Sequence, residues 1–171
     1  MVETLVQSII SLFGGFLTVP FGKEIVVFII SLMPILELRG GLIAAALLKL
    51  DPFFSYFVSI VGNLLPIPFI LLFITKIFEW LRKFKKFNKL VTKLEEKALS
   101  KKEQLEKGEF IGLVLFVGIP LPGTGAWTGA LIAALIGMNR KKAMLAITLG
   151  VILASIIMMI LSFGVIGTLI A

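Results

Sequence analysis

The sequence contains no cysteine and no histidine. Without cysteine there is no disulfide and no thiolate chemistry. Without histidine the chain lacks the commonest metal ligand and the side chain that changes charge near neutral pH. The remaining residues show no nucleophile beside a base and no cluster with metal-ligand spacing. Neither an enzyme, nor a cofactor, nor a metal is therefore expected. Charge is also missing over long stretches. Phe53 to Thr75, Phe110 to Asn139 and Ala143 to Ala171 carry none.

Those stretches define the class of protein. Of the 171 residues, 58% are hydrophobic, against about half in soluble domains. The mean hydropathy is +1.09. Each charge-free block reaches the roughly 20 apolar residues a helix needs to cross a bilayer. A soluble core has no use for three such blocks, so an all-α integral membrane protein is expected, in a single membrane domain, 1–171. The N-terminus, with Glu3 and no early lysine or arginine, does not read as a signal peptide.

The charge that is present is concentrated. Eleven of the 17 basic residues lie between Lys76 and Lys107, with six glutamates between Glu79 and Glu109. Residues 76–109 therefore read as a cytoplasmic segment by the positive-inside rule. Ile77, Trp80, Leu81, Phe84, Phe87, Val91, Leu94 and Ala98 recur at helical spacing, which predicts a basic amphipathic helix. Lying between membrane blocks, it suits anionic lipid headgroups rather than nucleic acid. A contact with a second copy is a further reading, and so is a plain extension of the preceding span.

The block 110–138 is basic at both ends, since Arg140, Lys141 and Lys142 follow it. One crossing would strand a basic cluster outside. A re-entrant hairpin satisfies both ends, and Pro120, Pro122, Gly123 and Gly125 break its middle. Each arm would be about 12 residues, or ~18 Å of helix, too short to cross a ~30 Å core. The first half carries an echo. Gly40-Gly41-Leu42-Ile43-Ala44-Ala45 matches Gly129-Ala130-Leu131-Ile132-Ala133-Ala134 at a spacing of 89, with Pro34 beside the Pro122-Gly123 turn. Residues 24–48 are thus expected as a first re-entrant hairpin, followed by a transmembrane helix over 53–75. The second hairpin, 110–138, is followed by a transmembrane helix over 141–163. One crossing between the hairpins inverts the second repeat, a plan that recurs in transporters. Residues 1–19 form an amphipathic or short membrane helix, with Thr4, Gln7, Ser8, Ser11, Gly15 and Thr18 on one stripe. Gly125, Gly129, Ala133 and Gly137, and also Ala146, Gly150 and Ala154, form faces suited to close helix packing.

Two charges fall inside a predicted hairpin: Glu37 and Arg39. A charge in the bilayer core costs at least ~2.5 kcal/mol. They either hold the hairpin tip together or line a solute path. In the second case Glu37 is a proton-carrying acid and Arg39 holds an anionic group. Gly40 and Gly41 open a helical arm whose amides also favour an anion. The second tip has no charge, but offers Gly123, Thr124, Gly125, Trp127 and Thr128. Asn63 is a weaker pathway residue, with an interhelical hydrogen bond as its plainer role. Lys49 and Asp51 are expected at the outer interface.

The runs Pro34-Ile35-Leu36-Glu37-Leu38-Arg39-Gly40-Gly41 and Pro120-Leu121-Pro122-Gly123-Thr124-Gly125-Ala126-Trp127-Thr128-Gly129 resemble the small multidrug export protein family. The resemblance covers nearly the whole chain. That family is in turn distantly similar to the DedA (VTT-domain) superfamily, which has two inverted re-entrant hairpins. Members of that superfamily are implicated in proton-dependent transport, polyprenyl-phosphate flipping and lipid scrambling. The resemblance makes Glu37 and Arg39 counterparts of the acidic and basic hairpin residues there. The second half departs from the DedA pattern, having no second charge cluster.

The expected function is a transporter or flippase for a small amphipathic or anionic solute or lipid headgroup, with proton coupling as one version. An uncoupled lipid scramblase is the alternative, as is a structural membrane protein acting through the basic helix. The expected setting is the cytoplasmic membrane of a prokaryote, with residues 76–109 on the cytoplasmic side. Membrane lipids are partners, and a chain this small is expected to work as a homo-oligomer.

Overall fold

The computed structural model describes residues 2–84, 88, 89, 91–93, 95, 96, 108–121 and 123–166. Every regular element among them is helical. Helix α1 spans Val2–Leu12 and leads into a 3-10 segment, Gly14–Thr18. Then come α2 (Gly22–Leu32), α3 (Glu37–Leu47), α4 (Pro52–Leu64) and α5 (Ile67–Arg82). After the basic stretch follow α6 (Glu109–Gly118), α7 (Ala126–Leu135) and α8 (Arg140–Met159), the last continuing as a π-helical segment, Ile160–Ile166.

Local chemistry sets these boundaries. Helix α2 ends because Met33, which precedes Pro34, is driven to extended geometry (ψ 137°). Ile119 before Pro120 ends α6 in the same way (ψ 117°). Asp51 caps α4, its Oδ1 accepting from Phe54 N at 2.7 Å, and Pro52 fills the first helical position. Asn139 caps α8, its Oδ1 accepting from Lys141 N at 3.0 Å and from Lys142 N at 3.3 Å. Between α4 and α5 the helical path is interrupted at Leu65-Pro66, where proline cannot donate.

The chain divides into two compact units, Met1–Leu65 with Val151–Ala171, and Pro66–Gly150. In the first unit α2 and α3 form an antiparallel hairpin with α4 packed against both. The open end of the hairpin is closed by Lys23 Nζ, which donates to Leu48 O at 3.4 Å. Val6, Val26, Val27, Ile30, Leu36, Ala44 and Ala45 make its core, with Ile9, Phe13 and Leu17 packed on the edge. Helix α1 therefore lies against the hairpin through Val6 and Ile9, while Leu12 stays 82% exposed. In the second unit α6 and α7 form a hairpin, and α5 packs along α7.

Two helical runs, Pro52–Arg82 and Arg140–Gly164, are long and apolar enough to cross a membrane. They contain the expected spans 53–75 and 141–163. The first continues beyond Thr75 to Arg82, so the start of the basic stretch extends the span. Arg82 forms an ion pair with Glu95, and Val91 is buried. Residues 85–87, 90, 94 and 97–107 of the expected basic helix lie outside the described residues. The sidedness of α4 is the reverse of a soluble helix. Phe53, Phe54, Phe57 and Val61 are exposed, whereas Ser55, Ser59 and Asn63 are buried. Apolar outside and polar inside is how a helix sits in lipid.

Candidate functional site

The described hairpins share a local geometry that fixes where the site residues fall. Both first arms end in an extended residue before proline, Met33-Pro34 and Ile119-Pro120, 86 residues apart. Both second arms open at a positive φ, 52° at Glu37 and 132° at Gly125, 88 apart. Both close on one too, 52° at Lys49 and 73° at Gly137. There Leu50 N donates to Ala45 O and Met138 N to Ala133 O, a matched helix-ending turn. The caps Asp51 and Asn139 keep the spacing of 88. So do the glycines at which the following helix touches the first arm. A Cβ on Gly62 would meet Phe28 O at 2.8 Å, and one on Gly150 would meet Val114 O at 2.8 Å.

Two details of the sequence reading change. The spacing is 88 rather than 89, because Gly41 and Gly129 occupy the same place. Each would drive a Cβ into the first arm, at Ser31 and at Val117 respectively. Pro34 corresponds to Pro120, and the second tip is longer by two residues. Gly137 is a turn residue with open space around it and does not belong to a packing face.

Glu37 opens α3 and is 5% exposed. It is a non-glycine residue in the left-handed region, a conformation costing roughly 1–2 kcal/mol. Arg39 is half-buried two positions on. Residues two apart on a regular helix do not share a face, but the Glu37 and Arg39 charges attract one another. Gly40 is steric, since a Cβ there would lie 2.6 Å from Leu36 Cβ and 3.1 Å from Ile30 Cγ2. Gly41 lets two hydroxyls approach the α3 backbone. A Cβ there would collide with Ser31 Oγ and come within 3.0 Å of Ser59 Oγ.

Asn63 is 2% exposed, and its Oδ1 has no hydrogen-bond partner. The same holds for Ser55 and Ser59 Oγ on the same face of α4, and for Ser162 Oγ in the π-helical segment. Ser31 Oγ donates to Val27 O at 2.8 Å. Buried polar atoms nearly always have partners, so these orphaned oxygens call for a water, an ion or a ligand. The serines were missed in the sequence. The available signal was the i, i+4, i+8 spacing of Ser55, Ser59 and Asn63 in an otherwise apolar helix.

The second tip has a different chemistry. Gly123 is exposed at φ 81° with nothing within 4 Å. Thr124 folds its hydroxyl onto its own turn, donating toward Leu121 O at 2.8 Å and Ile119 O at 3.0 Å. Gly125 is buried at the start of α7, and Thr128 and Trp127 are half-buried. Gly112, Leu115, Phe116, Ile119, Leu121 and Thr124 line an apolar groove of about 280 Å³. The structure thus gathers Glu37, Gly41 and Asn63 within one unit, and Gly123, Thr124, Gly125 and Thr128 within the other.

Two long apolar helices and a reversed-polarity α4 are the marks of a membrane protein. Residues 37–157 match the family model described as "Putative small multi-drug export protein", and the chain belongs to that family. The family name places it with membrane export proteins. No curated protein and no solved structure matches the chain.

Proposed function

We propose that the chain is a transporter or flippase that moves a small amphipathic or anionic solute, or a lipid headgroup, along a path lined by Glu37 and Arg39. The observation that carries this reading is the state of Glu37. The same place in the second hairpin holds Gly125. Glycine accepts a positive φ without penalty. A buried carboxylate held there against backbone preference serves chemistry, since local strain collects at functional sites. Its partner in the path is Arg39, whose guanidinium suits a phosphate or carboxylate.

The arm lengths support a re-entrant arrangement in the membrane. Helices α2, α3, α6 and α7 have 11, 11, 10 and 10 residues, or about 15–17 Å each, half the hydrocarbon thickness. The bond from Lys23 to Leu48 brings both ends of the first hairpin together, as a segment that returns to its own side requires. In this reading the two hairpins dip in from opposite faces as inverted repeats. Residues 76–109 face the cytoplasm and rest on anionic headgroups, and the working form is an oligomer. In the coupled version Glu37 carries a proton with each cycle.

The test is reconstitution in liposomes containing fluorescent NBD-phosphatidylglycerol, with dithionite reporting movement between leaflets. Wild type should accelerate movement, and Glu37→Gln and Arg39→Ala should abolish it while leaving the protein folded. Equal rates in wild type and both variants would refute the reading. Movement that ignores an imposed pH gradient would favour the uncoupled scramblase.

A further inference from the structure

We infer that the buried oxygens between α2, α3 and α4 form a binding site for a sodium ion, made by Ser31 Oγ, Ser59 Oγ, Asn63 Oδ1 and the Glu37 carboxylate. Gly41 brings the Ser31 and Ser59 hydroxyls together, since a Cβ there would meet both. Ser31 spends its proton on Val27 O, which leaves the oxygen as an acceptor toward Gly41. Ser59 Oγ and Asn63 Oδ1 are fully buried and unpartnered. Helices α3 and α4 are neighbours joined by the short segment Leu48–Asp51, so they run antiparallel. One turn back from Gly41 is Glu37, and one turn on from Ser59 is Asn63. Residues 37 and 63 therefore sit at the same level of the paired helices.

The charge and the backbone favour a monovalent cation. All four groups are oxygen donors, the set that hard cations take. The one carboxylate already attracts the Arg39 guanidinium, so the site balances at most a monovalent ion. Ser31 and Asn63 also lie in the last turns of α2 and α4, where the helix dipoles present their negative ends. C-terminal ends of broken helices are a recurring sodium-binding device in membrane carriers. The same positions of the second hairpin and its following helix are Val117, Gly125, Ile147 and Val151, which offer no side-chain oxygen. Only the use of this ion in coupling rests on the transport reading; its binding does not.

The experiment uses the purified full-length chain in detergent, in sodium, potassium or choline chloride at one ionic strength. Thermal unfolding and equilibrium binding of radioactive sodium are read together, with no transport measured. Wild type should unfold roughly 2–6 °C higher in sodium than in choline. Ser59→Ala and Asn63→Leu should lose that difference and bind sodium at least about tenfold more weakly. In choline, Ser59→Ala should be as stable as wild type, because it removes an orphaned hydroxyl. No sodium-specific shift and no bound sodium in wild type would overturn the inference and assign the orphaned oxygens to water. A sodium shift retained in Ser59→Ala and Asn63→Leu would overturn it too.

Discussion

The two hairpins share their turn positions and differ in chemistry and in the length of their tips. Both end their first arm before a proline and open and close the second at positive φ. Both are followed by a capped helix that touches the first arm through a glycine. Along that following helix the first unit buries Ser55, Ser59 and Asn63, where the matching positions are Ala143, Ile147 and Val151, also buried. The first hairpin opens its second arm on glutamate and the second on glycine. A geometry that occurs twice is scaffold; what occurs once is specific to the site. On that ground the proposed path draws its chemistry from the first hairpin and its shape from both.

The largest effects should therefore be one-sided. Glu37→Gly places in the first hairpin the residue the second already has. It should abolish movement of NBD-phosphatidylglycerol in liposomes while the protein stays folded. Preserved movement in that variant would dissolve the contrast between the hairpins. Next come effects that should be two-sided. Gly62→Ala and Gly150→Ala each press a Cβ against a backbone carbonyl, which cannot swing aside as a side chain can. Each should destabilise by about 1–3 kcal/mol in thermal unfolding followed by tryptophan fluorescence. A large loss in one and none in the other would break the structural parallel.

The glycine spacing, the prolines and the long apolar blocks were legible in the sequence because each acts locally. Proline fixes its own φ and restricts its neighbour, and a charge-free run of 20 residues announces itself. Glu37 and Arg39 stood out for the same reason, as charges amid apolar residues. The spacing was read one residue out because Gly40 and Gly41 are adjacent and their neighbours Leu-Ile-Ala-Ala are interchangeable in composition. Only the contacts of Gly41 with Ser31 and Ser59 distinguish the two. The buried serines were overlooked because serine is unremarkable by type; burial without a partner is a property of the fold. Thr124 suits a pathway by its chemistry, and that its hydroxyl closes its own turn is visible only in the fold.

Smaller effects sharpen the comparison further. Asp51→Ala and Asn139→Ala each remove an N-cap and should cost about 1 kcal/mol apiece in the same unfolding assay. Lys49→Gly makes the first hairpin end as the second does at Gly137. It should raise stability by up to about 1 kcal/mol. A loss of stability there would mean that the lysine side chain outweighs the backbone preference.

The most direct measurement is sidedness. The sequence has no cysteine, so single cysteines can be read without background. Cysteines replacing Lys23 and Lys49, at the two open ends of the first hairpin, should react with an impermeant maleimide from one face of the membrane. Cysteines replacing Glu109 and Lys141 should react from the other. Labelling of positions 23 and 49 from opposite faces would mean that the segment crosses, and a hairpin site built on Glu37 could not stand.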